Sequence, residues 1–321
     1  MTDMIKNVYD KLKSNLKKVI TGKDGELDII ISAILAKGHI LIEDMPGTGK
    51  TVLAKAIAKS VSCEFKRIQF TPDLLPGDIT GVHIYNFKTG DFSLKKGAVF
   101  TNILLGDEIN RATPRTQSAL LECMGERQVT IDGQTFALSP PFVVLATQNP
   151  IETGGVYPLP EAQLDRFLIE LSLGYPDAGS EFEILEKSKF HHPVDDLTAI
   201  ITPEELIKAS DSTEQIRISD DLLNYIVLLG EKTRSHEQIR LGLSTRGLIA
   251  VKRIAQAFAG IKGRNFVTPD DIKTIAPFGM AHRLILKGYG SRREALRLVN
   301  EILSEVPVPT EDIDNFFGEN K

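Results

Sequence analysis

The segment DMPGTGKT, residues 44–51, constrains the fold most, because it lies between two stretches of different periodicity. Residues 39–43 are mostly apolar, which predicts a short buried strand, and residues 50–62 have helical spacing. A glycine-rich turn that follows a strand and opens a helix is typical of a phosphate-binding loop. Gly47 and Gly49 allow backbone N–H groups to point at phosphate oxygens, and the helix N-terminus contributes its positive dipole.

Two side chains of this loop have predicted roles in binding a nucleotide. The Lys50 ammonium is expected to reach the β- and γ-phosphates, and the Thr51 hydroxyl to bind Mg²⁺. The strict pattern is broken at Asp44, where a glycine is usual, and a purely structural glycine turn is the alternative. The predicted nucleotide-binding residues of the loop are Pro46, Gly47, Thr48, Gly49, Lys50, Thr51 and Val52.

Short apolar runs alternate with helical stretches in the first half of the chain, which predicts a parallel sheet covered by helices on both faces. Two hairpins, at 82–100 and 128–138, interrupt this α/β pattern. After residues 174–179 only helical periodicity follows, and the predicted helices include residues 180–190 and 268–286. We therefore predict an αβα domain over residues 1–175 and a small all-helical domain over residues 176–321. The further strands are predicted at 65–70, 103–107, 142–146 and 168–173.

Polar residues stand at the ends of two predicted strands, where ligands bind in parallel sheets. Asp107 ends one strand and is expected to orient Mg²⁺ through its water shell. Glu108 follows it and is expected to polarise an attacking water. Asn149 follows the next strand and could hold that water or the γ-phosphate. The alternatives are a solvated strand end for the acidic pair and a turn-initiating residue for Asn149.

Two arginines are candidates for stabilising charge in phosphoryl transfer. Arg166 lies in the triplet Asp-Arg-Phe before the last strand, and Arg246 begins a helix of the second domain. An arginine supplied by a lid or a neighbouring subunit raises such rates by roughly 10³- to 10⁵-fold. A surface ion pair is the alternative for either residue.

The composition limits the classes of partner. The 321 residues are 42% hydrophobic and 25% charged, with a net charge of −5, so a nucleic-acid partner is not favoured. The two cysteines form no CxxC pair. No apolar stretch approaches the roughly 20 residues that span a bilayer. We expect a cytoplasmic protein that is not inserted into a membrane.

The order of these motifs resembles that of the AAA+ ATPases. The strings GHILIEDMPGTGKT, TPDLLPGDITG, LLGDEINRATPRTQSALLECMGERQVTIDG, FVVLATQNPIE, LPEAQLDRF and LSTRG are similar to the MoxR branch of that class. The resemblance extends from about residue 19 to about residue 286. It implies an αβα nucleotide-binding domain with a helical lid, ATP and Mg²⁺ as ligands, and hydrolysis of ATP.

By motif match, the resemblance also implies residue roles. Lys50 and Thr51 match Walker A, and Asp107 and Glu108 match Walker B. Residues 19–22, with Thr21 and Gly22 as candidate contacts, match the segment that lines the adenine. The remaining matches are Asn149 with sensor 1, Arg166 with the arginine finger and Arg246 with sensor 2. Arg111 lies at a candidate interface position, and a surface ion pair is the alternative for it.

The family further implies a ring of copies, taken as a hexamer, with ATP at subunit interfaces. Its members work as chaperone-like ATPases on client proteins, together with a protein that carries a von Willebrand factor A domain. Three alternatives stay open: a nucleic-acid motor, an ATPase subunit of the magnesium-chelatase type, and a structural ring that does not hydrolyse ATP. The client and the adaptor are not identified by the residues.

Overall fold

The computed structural model describes residues 2–88, 90–150, 155–187, 193–288 and 290–309. The strands up to residue 171 are β1 (Ile40–Glu43), β2 (Phe65–Gln69), β3 (Gly81–Asn86), β4 (Asp91–Lys96), β5 (Ile103–Asp107), β6 (Gln128–Ile131), β7 (Gln134–Ala137), β8 (Val143–Gln148) and β9 (Ile169–Leu171). Five of them form one parallel sheet in the order β2-β5-β8-β1-β9. The predicted parallel sheet is therefore confirmed, with strand limits close to those expected.

Strand β1 lies between β8 and β9, with Ile40 aligned with Leu145 and Ile169. Ile40 and Ile42 pack in one hydrophobic core, while Leu41 packs in a second. Successive residues of a strand point to opposite faces, so the sheet separates the two cores. This double burial explains why β1 is a continuous apolar run rather than an alternating one.

Helices cover both faces of the sheet, and the two predicted hairpins are present as separate antiparallel pairs, β3–β4 and β6–β7. In the second hairpin Asp132 and Gly133 both have positive φ, at 48° and 80°, as a tight two-residue turn requires. The helices of this part are α1 (Thr2–Leu16), α2 (Asp24–Leu35), α3 (Lys50–Ser60), α4 (Pro76–Thr80), α5 (Pro114–Glu126) and α6 (Glu161–Leu164).

The part of the chain after β9 is mainly helical, as predicted, and also contains a short two-stranded ribbon. The helix expected over residues 268–286 ends at Met280, because the following residues leave the helix and pair with an earlier segment. The prediction over residues 180–190 extends past Lys187 into residues outside the described ranges. The elements are α7 (Ala178–Lys187), α8 (Pro203–Thr213), α9 (Asp220–Ser235), β10 (Ile239–Leu241), α10 (Thr245–Ile261), α11 (Pro269–Met280), β11 (Ile285–Leu286) and α12 (Arg292–Glu305).

The two N-terminal helices pack against the helices after β9. Helix α1 contacts α8 and α10, and α2 contacts α10. The buried apolar side chains of α1, α10 and one face of the sheet belong to one hydrophobic core. The predicted boundary near residue 175 stays a prediction. Among the described residues, no helix is both long and apolar enough to cross a membrane.

Candidate nucleotide-binding site

The glycine-rich loop connects β1 to α3, as the sequence predicts. Gly47 and Gly49 both have φ of +87°, a conformation that favours glycine, and the space where a Cβ would stand is open at both. The Lys50 ammonium donates to the carbonyl oxygens of Asp44 (2.9 Å) and Met45 (3.2 Å). The open loop at a helix N-terminus fits a phosphate group. Pro46 and Thr48 lie in the same loop, and Thr51 and Val52 lie in the first turn of α3.

The segment that matches the adenine-lining residues lies beside the start of α7. Gly22 has φ of +73°, and a Cβ there would collide with the Ser180 side chain. The Thr21 hydroxyl oxygen is buried and has no hydrogen-bond partner within the described structure. A buried polar atom without a partner is uncommon in proteins and fits a ligand that supplies the missing hydrogen bond.

Asp107, at the carboxyl end of β5, is held by two neighbouring strands. Its Oδ1 accepts from the Thr147 hydroxyl of β8 (2.6 Å), and its Oδ2 accepts from Arg67 of β2 (Nη2 at 2.7 Å). Thr147 is fully buried. Neither Thr147 nor Arg67 is predicted as a partner from the sequence, where the only signal is that each lies near the end of a strand.

Glu108 begins the next turn with a left-handed backbone, φ 56°. Its N–H donates to the Thr147 hydroxyl (2.8 Å), so one side chain holds both acidic residues. Its carboxylate accepts from Gln69 Nε2 (2.7 Å) and pairs with Arg111 Nε (3.1 Å). Arg111 is therefore a partner of Glu108 within one chain, which the sequence left open.

Asn149 lies directly after β8 and next to the glycine-rich loop. The β8 residue before it, Gln148, aligns with Glu43, and its carbonyl accepts from the Asp44 N–H (3.1 Å). Asn149 itself is 7% exposed. The loop, the acidic pair and Asn149 thus meet at the carboxyl edge of the sheet, as predicted for a phosphate site.

Arg166 and Arg246 lie together at the opposite edge of the sheet. Both line a cavity of about 140 Å³ beside Gly38, at the amino end of β1. A Cβ at Gly125 would collide with the Arg166 guanidinium and would lie 3.8 Å from Nη2 of Arg246. The cavity is strongly basic; its positively charged lining residues are Lys37, Arg127, Arg166, Arg246, Arg253 and Arg283.

Asp165 holds the arginine-bearing elements together. Its carboxylate accepts from Arg283 Nε (2.6 Å) and from the hydroxyl of Ser244, the N-cap of α10 (2.8 Å). Arg283 is buried and also donates to the carbonyl oxygen of Phe167 (2.5 Å). These contacts attach the start of α10, and with it Arg246, to the segment between α6 and β9.

The donor set fits a magnesium ion that keeps most of its water. No group of three or more histidine, cysteine, aspartate or glutamate side chains is poised to hold a metal in the described ranges. Mg²⁺ usually retains several waters and binds through one or two protein oxygens and substrate phosphates. Thr51 and Asp107 could supply such oxygens, with Asp107 acting through water because Arg67 and Thr147 already occupy its carboxylate.

Two buried groups, one directly before β1 and one on the edge strand β9, have shifted pKa values. Burial lowers the pKa of His39 to about 3, so the ring is neutral; Nε2 lies 3.1 Å from the Met124 carbonyl oxygen, and Nδ1 accepts from the Val144 N–H (3.0 Å). Burial, reinforced by a hydrogen bond with Glu43, raises the pKa of Glu170 to about 8.

Comparison with known proteins agrees with this geometry. Residues 39–169 match the family model "ATPase family associated with various cellular activities (AAA)", and residues 231–306 match the AAA lid domain. A crystal structure described as that of an ATPase from Cytophaga hutchinsonii superposes with a TM-score of 0.88 at 38% identity, covering 96% of this chain and 97% of that one. The fold and the site therefore define an AAA+ ATPase.

Sequence relatives identify the family within the AAA+ ATPases. The chain is 48% identical to the uncharacterised protein YeaC of Bacillus subtilis, over 94% of this chain and 95% of that protein. It is 38% identical to the chaperone MoxR1 of Mycobacterium tuberculosis, over 92% of this chain and 80% of that protein. The chain belongs to the MoxR family of AAA+ ATPases.

Proposed function

We propose that the protein hydrolyses ATP between neighbouring copies in a ring, taken as a hexamer, and uses the reaction to remodel protein complexes. The observation that carries this proposal is the separation of the two halves of the site. The glycine-rich loop follows β1, whereas Arg166 and Arg246 lie near Gly38, before β1. At roughly 3.3 Å per residue, Gly38 and Asp44 are about 20 Å apart. The arginines of one copy therefore serve the loop of the next.

Each polar residue at the carboxyl edge of the sheet, where the glycine-rich loop lies, has a role in the proposed chemistry. Lys50 leaves the loop carbonyls and binds the phosphates, and Asn149 orients the attacking water. Glu108 accepts the proton of that water as it attacks the γ-phosphorus, and ADP leaves. Mg²⁺, when held by Thr51 and through water by Asp107, supplies positive charge that neutralises the phosphates. Arg166 and Arg246 of the neighbouring copy stabilise the charge of the transition state.

Substitutions at the carboxyl edge of the sheet test the proposed ATPase activity directly. Lys50→Ala should abolish nucleotide binding, and Glu108→Gln should preserve binding while lowering turnover by about 10²- to 10⁴-fold. Nucleotide affinity and phosphate release are measured with purified protein, ATP and Mg²⁺. Exposed residues of the same types, changed as Lys55→Ala and Glu122→Gln, are matched controls that should behave as wild type. Wild-type turnover by Glu108→Gln would contradict the role of Glu108 as the general base.

The proposal also includes the location of the protein and its partners. We assign the protein to the cytoplasm, with a protein client and an adaptor that carries a von Willebrand factor A domain; the similarity to MoxR proteins supports this. Tagged Glu108→Gln protein in ATP and Mg²⁺ should capture such an adaptor, and Lys50→Ala should not. Capture of nucleic acid that nuclease removes would instead favour the motor alternative.

A further inference from the structure

Asp44 is the residue that breaks the strict phosphate-loop pattern, and its carboxylate is fully engaged. The residue is 4% exposed. Its two oxygens accept from the Ser172 hydroxyl (2.7 Å), the Leu173 N–H (2.5 Å) and the Gly174 N–H (3.1 Å). All three donors belong to the segment that leaves β9 for the helices of the lid side. A glycine at this position would leave these donors without their acceptor.

The same segment is also held from the other side of the nucleotide site. The Lys23 ammonium donates to the Tyr175 carbonyl oxygen (3.0 Å), and Lys23 directly follows the adenine-lining match at residues 19–22. Gly22 in turn packs against Ser180 of α7. Both walls of the site therefore contact the chain between β9 and α7.

The residue before Asp44 makes a second contact of the same kind. Glu43 ends β1, and its carboxylate lies 3.5 Å from Nε of Arg292, the first residue of α12. Arg292 also pairs with Glu170 of β9 at 2.6 Å. Glu43 and Asp44, at the start of the phosphate loop, thus connect the loop to α12 and to the segment after β9.

We propose that Asp44 is a positioning residue that couples occupancy of the phosphate loop to the segment 172–175. The proposal rests on the proposed binding of ATP. In the structure the Lys50 ammonium donates to the Asp44 carbonyl oxygen. A triphosphate takes Lys50 away from that oxygen, and the Asp44 peptide shifts. Its carboxylate transmits the shift to the N–H groups of Leu173 and Gly174, and so to the elements beyond them.

Two substitutions test the role of the Asp44 carboxylate separately from the backbone conformation that the loop needs. Asp44→Gly restores the strict phosphate-loop pattern and removes the carboxylate, and Asp44→Asn keeps the size but turns one acceptor into a donor. Exposed Asp221, changed to Asn, is the matched control. Ser172→Ala removes one of the donors and keeps the two backbone donors, so it should give an intermediate effect.

The readout is hydrogen exchange at the amides of Leu173 and Gly174, with and without a non-hydrolysable ATP analogue. In wild type the analogue should change the exchange rate of these amides. In both Asp44 variants the response should disappear, with nucleotide affinity within about threefold of wild type and turnover lowered about tenfold, in the range of typical coupling between sites. A merely stabilising carboxylate would change the basal exchange but preserve the response to nucleotide.

Each outcome decides the question. An undiminished nucleotide response in Asp44→Asn and Asp44→Gly overturns the coupling role, even when turnover falls. Should Asp44→Gly not fold, Asp44→Asn and Ser172→Ala carry the test. Failure of wild-type protein to bind ATP would overturn the proposed function, and the inference with it; normal binding with a normal response in the variants overturns the inference alone.

Discussion

At the scale of single residues, the acidic pair depends on one buried hydroxyl. Thr147 Oγ1 donates to the Asp107 carboxylate and accepts from the Glu108 N–H. It therefore fixes the side chain that orients Mg²⁺ in our proposal and the backbone that carries the proposed base. A hydroxyl can fill both roles because it is donor and acceptor at once.

Replacing Thr147 with Val, which has the same shape, should reduce turnover by about 10- to 100-fold, as is typical when a partner behind a metal site is lost. Nucleotide binding should remain, because the loop is untouched. The unpaired Glu108 N–H should also cost about 1–3 kcal/mol of stability. Turnover, affinity and denaturant unfolding are measured on the same preparation. Thr147→Ser should retain most activity; equal loss in both variants would contradict the hydroxyl role.

At the scale of elements, β1 connects the two edges of the sheet that we propose to be functional, and His39 anchors it. The ring lies before the strand and bonds to the end of α5 and to β8. Protonation would place a charge in this buried site and would remove the acceptor for the Val144 N–H. The neutral ring is therefore part of the packing of the sheet.

Stability should fall in acid because of this ring. The folded pKa of His39 is about 3 and its ordinary value is 6.5, so the unfolded chain binds one more proton between these values. The contribution of His39 therefore destabilises the folded state by about 1.4 kcal/mol per pH unit as the pH falls below 6.5, and the raised pKa of Glu170 contributes in the opposite direction. Urea unfolding from pH 7 to pH 4.5 measures the slope. His39→Gln should reduce the slope by about one proton; an unchanged slope would contradict the assignment.

At the scale of the whole molecule, the loop and the arginine pair are separated by the length of β1. Arg166 and Arg246 are held at one edge by Asp165 and α10, and Lys50 lies at the other edge. If one copy supplies the arginines to the next, two different defects can complement each other in a mixed ring.

Arg166→Ala and Glu108→Gln should each be nearly inactive alone and recover turnover when mixed. In the mixed ring, an intact loop of the Arg166→Ala chain meets an intact Arg166 of the Glu108→Gln chain. Phosphate release is measured across mixing ratios. The double variant Glu108→Gln/Arg166→Ala is the control and should not restore either partner. Absence of recovery in rings that form normally would place Arg166 outside the neighbouring site.

Much of the site could be predicted from local sequence. The glycine spacing, the apolar runs and the polar strand ends identified Lys50, Asp107 and Asn149 as neighbours, because parallel strands end at one edge. Local patterns did not identify Thr147 or Arg67 as partners of Asp107, since their closeness depends on which strands are adjacent. The ribbon of β10 and β11, in which Leu286 pairs with Ile239, was also not predicted, because its residues follow a helical spacing in the sequence.

The sequence by itself determined that this chain forms a parallel sheet with a phosphate-type loop, because periodicity and glycine geometry act over a few residues. Only the tertiary structure decided where the rest belongs. The strand order β2-β5-β8-β1-β9 puts Thr147 between the acidic residues, and the packing of α10 puts Arg246 beside Arg166. The use of Asp44 as an acceptor for the linker was also decided at this level, because its three donors lie 128 to 130 residues away.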